Sequence, residues 1–138
     1  MSESGTELCW VLLYTKPRAE TWADANLRRQ GFQTLLPRVR GRGGFGPLFP
    51  RYVFAAYRIG QSPDPLRSTR GVLYVVRCGD HAARVPTAVI EQVRARMDAH
   101  GLVPLDPSPA RDPLFAAAQR ERVRALEKLA RAGFRVVA

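Results

Sequence analysis

The sequence predicts an α+β domain: an antiparallel four-stranded sheet flanked by helices, with one further helix toward the C-terminus. Three observations carry that prediction. Four short segments are rich in β-branched and aromatic residues, two stretches repeat apolar residues at three- and four-residue spacing, and glycine or proline marks most junctions between them. At 138 residues the chain has the size of one domain. Its 46% hydrophobic and 25% charged residues exclude disorder throughout.

Residues 1–7 are polar and expected to fray. Residues 9–16 (CWVLLYTK) are apolar at both parities, with Trp10, Leu12 and Tyr14 on one side and Val11 and Leu13 on the other, which marks a central strand. Pro17 breaks that strand and suits the first turn of a helix. Ala19, Trp22, Ala23, Asn26, Leu27 and Gln30 then follow at helical spacing up to a stop at Gly31. Residues 32–39 read as a second strand, with Pro37 placing it at an edge. Residues 40–46 (RGRGGFG) read as a flexible, basic hairpin tip carrying Arg40 and Arg42.

Residues 51–57 (RYVFAAY) form the third strand, with Tyr52, Phe54 and Ala56 on one face and Val53, Ala55 and Tyr57 on the other. A Pro-containing connection over 62–69 leads through Gly71 to a fourth strand at 72–77. Val89, Ile90, Val93 and Met97 define a second amphipathic helix over 86–100, stopped by Gly101. Four prolines between 104 and 113 predict a stiff linker over 102–112. Beyond it Asp112 caps a last helix from Pro113 to about Ala132. The chain thus divides into a domain at 8–101, a linker at 102–112 and a helical piece at 113–138.

The net charge is +10, and of 22 basic residues only Lys16 and Lys128 are lysine. Guanidinium groups bind phosphate through planar forks, so a polyanionic partner is expected; arginine-favouring codon usage is the competing explanation. The longest uncharged apolar run, 8–15, is too short to span a bilayer, so a cytoplasmic protein without membrane contact is expected. Cys9 and Cys78 are too few for a disulfide scaffold, and with His81 and His100 they lack metal-ligand spacing. Phosphate-binding loops, nucleophile elbows and paired carboxylates are also missing, so the reading is non-enzymatic, without metal or cofactor.

Four blocks of residues are nevertheless specific. They are Trp10 with Tyr14-Thr15-Lys16-Pro17-Arg18-Ala19-Glu20, then Asn26-Leu27-Arg28-Arg29-Gln30-Gly31-Phe32, then Pro47-Leu48-Phe49-Pro50-Arg51-Tyr52-Val53-Phe54, and lastly Ser68-Thr69-Arg70-Gly71-Val72 with Val76-Arg77-Cys78-Gly79. In order and spacing they resemble the N-terminal domain of the NusG family, closest to its RfaH-like specialised paralogues, over about residues 9–105. The resemblance implies a monomeric transcription elongation and antitermination factor. In that family a sheet patch docks on the clamp helices of the largest RNA polymerase subunit, a second edge approaches the gate loop, and pausing is suppressed.

By motif, Tyr52, Phe54 and Val75 match the polymerase patch, although Tyr52 and Phe54 serve equally well as core. Lys16, Arg18 and Arg70 match positions facing upstream or non-template DNA, and Arg38, Arg40 and Arg42 reach for phosphates from the hairpin. Asn26 and Trp22 match helix positions suited to base recognition, with a solvated Asn26 and a sheet-packed Trp22 as the plainer readings.

Two departures from the family stand out. The segment expected at the gate loop, about 62–64, lacks the His-Thr-Thr of the RfaH type, which leaves that contact open. From Pro113 onward about 26 residues remain, too few for the family's KOW-type barrel, so partners recruited by a barrel are not expected. Residues 113–138 look like a remnant of it. Residues 113–132 then form either a single helix masking Tyr52 and Phe54 or a helix placed elsewhere or frayed. A free-standing RNA-binding module with an RRM-like sheet is the rival reading.

Overall fold

Strand β1 (Leu8–Thr15) carries apolar side chains on both faces and therefore folds as an interior strand with a cover on each side. The computed structural model describes residues 7–41 and 43–134. β1 lies between β5 (Tyr52–Arg58) and β6 (Val72–Val75), and β2 (Gln33–Leu35) closes the far side of β5. All these pairings are antiparallel. A fifth strand, β9 (Arg84–Val85), extends the predicted four by pairing Val85 with Trp10 and Arg84 with Val11. A small hairpin, β7 (Arg77–Cys78) and β8 (His81–Ala82), interrupts that edge before the chain returns to β1.

Register sorts the core into two layers. Trp10, Leu12 and Tyr14 stand opposite Ala56, Phe54 and Tyr52, while Cys9, Val11 and Leu13 stand opposite Tyr57, Ala55 and Val53. The first set packs against α3 (Thr87–Arg96) and α4 (Gln119–Arg131), and the second against α1 (Glu20–Arg29) and α2 (Asp64–Arg67). Each Leu or Phe so buried contributes roughly 1.5–3 kcal/mol.

The second predicted strand divides at Pro37, which has no N–H for a ladder and whose carbonyl instead accepts from Leu48 N at 2.8 Å. Beyond it the Gly-rich segment forms the expected hairpin, with its arms paired as β3 (Arg38–Gly41) and β4 (Gly44–Pro47). Arg42 lies outside the described residues. α3 ends at Arg96, short of the predicted 100, because the Asp98 carboxylate accepts from the amides of His100 and Leu102 at 2.8 and 3.0 Å and folds a turn there.

The Pro-rich stretch expected to be a linker is fastened to the domain. Arg38 N donates to Gly101 O at 3.0 Å, Val103 N donates to Arg38 O at 2.8 Å, and Arg96 pairs with Asp106 at 2.9 Å. The last predicted helix is broken: a 3-10 turn (Pro113–Phe115), capped by Asp112 on Leu114 N at 3.0 Å, precedes α4. Between them the Ala116 and Ala117 carbonyls turn toward the guanidinium of Arg122 instead of continuing a helix. Val103, Phe115, Leu126, Ala130 and Phe134 join the same core as Trp10 and Phe54.

Arg96 beside Asp106 holds that carboxyl below the usual carboxylate range, helped by the Asp112 amide. A carboxyl depressed on folding stabilises the fold above its unfolded value and loses that contribution as pH falls through the folded one. The urea midpoint of wild type is expected to fall as pH drops below about 4, and to fall less in Asp106→Asn, which starts lower at neutral pH. Parallel profiles would contradict this role.

Candidate functional site

Tyr52 and Phe54 open β5 on the face covered by the C-terminal segment and are 8% and 1% exposed. The Tyr52 phenol donates to Glu127 Oε2 on α4 at 2.7 Å. Burial first, and then the Glu127 carboxylate, push that phenol well above its ordinary range. The Phe54 ring meets Phe49 edge-on with centroids 6.2 Å apart. One turn earlier on α4, Arg122 is 2% exposed; its Nε donates to Leu48 O at 3.0 Å and its Nη1 to Ala116 O and Ala117 O at 2.9 and 3.0 Å. Burial lowers the pKa of this guanidinium, and carbonyl oxygens alone satisfy it among the described residues. Such a group ties α4 to the Leu48 turn at a desolvation cost.

Val75 does not join Tyr52 and Phe54. It stands opposite Leu13 in β1 and packs, half-buried, in the layer under α1 and α2. The β6 residue on the Tyr52 face is Tyr74, opposite Tyr14. Tyr14 stacks on Tyr74 at 4.9 Å and meets Tyr52 edge-on at 5.2 Å, with the Arg51 guanidinium over its ring at 4.4 Å. Tyr74 is half-exposed, so this column of aromatics ends in solvent. The period-two pattern of β6 held the signal, but only the pairing partner decides which parity faces which layer.

Four of the predicted basic and polar residues come together at the β1–α1 junction. Lys16 N donates to Gly71 O at 2.9 Å, and Asn26 Nδ2 donates to Arg70 O at 3.1 Å. Arg18, in the same junction, has a left-handed backbone with φ of 58°. Asn26 Oδ1 accepts from Arg29 Nη1 at 2.8 Å, so both ends of its amide are engaged and it clamps the Arg70 backbone. Trp22 is half-exposed and not packed on the sheet, because the neighbouring Glu20 turns inward and accepts from Arg51 N at 2.7 Å. Arg40 stands apart on β3 beside Phe45.

Gly71 holds this junction together. Its φ is +99°, and a Cβ there would lie 3.1 Å from the Ala23 Cβ and 3.2 Å from its Cα. The face an RRM-like module would offer to bases is covered, with Trp10, Tyr52 and Phe54 all buried. No cluster of His, Cys, Asp or Glu among the described residues is arranged to hold a metal, and no described helix is long and apolar enough to cross a membrane.

A family model described as transcription termination factor NusG matches residues 8–94, the span from β1 to the last turn of α3. The chain belongs to the NusG family. This family consists of non-enzymatic transcription factors whose domains interact with RNA polymerase, and the observed α+β architecture fits its N-terminal fold. The C-terminal 3-10 turn and α4 lie outside the matched span.

Gly71→Ala is expected to destabilise the NusG-type domain by about 1–3 kcal/mol, through left-handed strain and the clash with α1. Chemical denaturation measures this, and an unchanged midpoint would refute the close approach.

Proposed function

We propose that the chain is a transcription elongation and antitermination factor of the RfaH-like type. It binds the clamp helices of the largest RNA polymerase subunit through the Tyr52 and Phe54 face and contacts upstream or non-template DNA through Lys16, Arg18, Arg70 and the hairpin arginines, suppressing pausing. Val75, on the other face, takes no part in that patch in this reading. The gate-loop contact falls to the segment around Asp64 at the start of α2.

The observation that carries the proposal is the cover on the aromatic face. An amphipathic segment outside the family-matched span lies over Tyr52 and Phe54 and is held by a buried guanidinium and one phenol-to-carboxylate hydrogen bond. On this reading polymerase binding requires α4 to leave. Affinity is then reduced by the fraction of molecules in the open state, so each 1.4 kcal/mol removed from docking strengthens binding about tenfold until that state dominates.

The test is a pull-down titration against core RNA polymerase with full-length chains verified as folded by circular dichroism. Leu126→Ala with Glu127→Ala loses a fully buried side chain and the Tyr52 hydrogen bond, and is expected to bind at least tenfold more tightly than wild type. Tyr52→Ala with Phe54→Ala is expected to lose binding. Folded variants that all ignore polymerase would overturn the proposal.

A further inference from the structure

The β3–β4 ribbon and the turn after α3 enclose a basic, aromatic hollow that the polymerase contact leaves unused. Arg38, Arg40, Phe45, His100 and Leu102 line one cavity of about 460 Å³. Strand register assembles one wall: Arg40 and Phe45 are cross-strand partners, Arg38 shares the face of Arg40, and Val39 between them points into the core. The other wall is pinned by the backbone bonds that join Arg38 to Gly101 and Val103. Asp98, the acid of that turn, accepts from the amides of His100 and Leu102 and also feels the charges of His100 and Arg40, but forms no ion pair with them; the ion pairs among the described residues lie elsewhere.

The Phe45 ring is 57% exposed, with the Arg40 guanidinium over it at 5.4 Å from the centroid. A guanidinium stacked on a ring keeps its in-plane N–H groups available for phosphate oxygens, and the ring keeps its other face for a planar group. We infer that this hollow is a subsite for one unpaired nucleotide of a single strand, with the base stacked on Phe45 and the phosphate held by Arg38, Arg40 and His100. Bases inside a duplex have no free face to offer, whereas a splayed base gains about 1–3 kcal/mol from such a platform. Glu20 and Thr21 line an adjoining hollow with Arg38 and Phe45, so the ribbon stands beside the first turn of α1, next in the chain to Arg18. The inference rests on the nucleic-acid half of the proposed function and extends it from scattered charges to a built subsite.

Fluorescence anisotropy with a 12-nucleotide DNA strand, the RNA strand of the same sequence and the 12-base-pair DNA duplex tests it on the full chain. Wild type is expected to prefer the single strands. Phe45→Ala, at an exposed ribbon position, should weaken single-strand binding about tenfold and leave the duplex unchanged, while Phe45→Trp restores it. Arg40→Ala should weaken both and lower the single-strand salt slope by about 0.7. Tighter RNA binding assigns the transcript as source, tighter DNA binding a displaced DNA strand, and equality their shared chemistry. Duplex preference, or no loss in Phe45→Ala, overturns the subsite. If Lys16→Ala with Arg18→Ala weakens binding while Phe45→Ala does not, the nucleic-acid reading survives without the subsite. If wild type binds none of the three, both fall, and the polymerase pull-down still stands on its own.

Discussion

Burial of β1 and β5 on both faces is the constraint from which the rest of the structure follows. Leu12, Leu13, Val53 and Phe54 are almost wholly removed from water, yet they point alternately to opposite sides of the sheet. Two covers are therefore needed. α1 and α2 supply one from within the family-matched span, and the other takes α3 together with a C-terminal segment outside that span. The second cover is the less economical, because it seats a guanidinium among carbonyl oxygens where an apolar side chain would carry no desolvation penalty. A cover held in this way draws its helical stability from docking, since a helix of 13 residues such as α4 is marginal in water once separated from the sheet.

The same sheet organises the polar end of the molecule. Tight passage of Gly71 past Ala23 brings the Arg70 carbonyl under the Asn26 amide and the Gly71 carbonyl under Lys16 N. Lys16, Arg18 and Arg70 are thus carried by a junction whose backbone is over-determined, and their charges are presented without being spent on ion pairs among the described residues. In the function proposed for them, such residues give salt-dependent affinity for a phosphate backbone and positional register, with no sequence reading of their own.

Local strand patterning is legible in the sequence, whereas features set by distant partners are not. The parities of β1 and β5 follow directly from CWVLLYTK and RYVFAAY, because alternation is a local property of a strand. The role of Val75 was not readable, since its face depends on a pairing with Leu13 some sixty residues away. Trp22 was misplaced because the helical stripe could be drawn through it, whereas the buried side of α1 runs through Glu20, Ala23 and Leu27, with Glu20 kept inward by the Arg51 amide. The break before α4 had no signal in the pattern of apolar residues; it is made by Arg122 drawing two alanine carbonyls out of helical geometry. The hairpin looked loose because glycine-rich sequence has high chain entropy, but cross-strand pairing and the Arg38 bonds to the turn after α3 order its base.

On the proposed function one cover of the sheet is permanent and the other exchangeable. Hydrogen–deuterium exchange of the full chain, alone and with core RNA polymerase, tests it most directly. Free protein should protect α4 together with β5, because the two share one buried layer. In the complex, α4 amides should become fast-exchanging while β1, β5 and α1 stay protected. Protection of α4 that persists unchanged in a formed complex would contradict the claim and make the C-terminal segment a fixed part of the core.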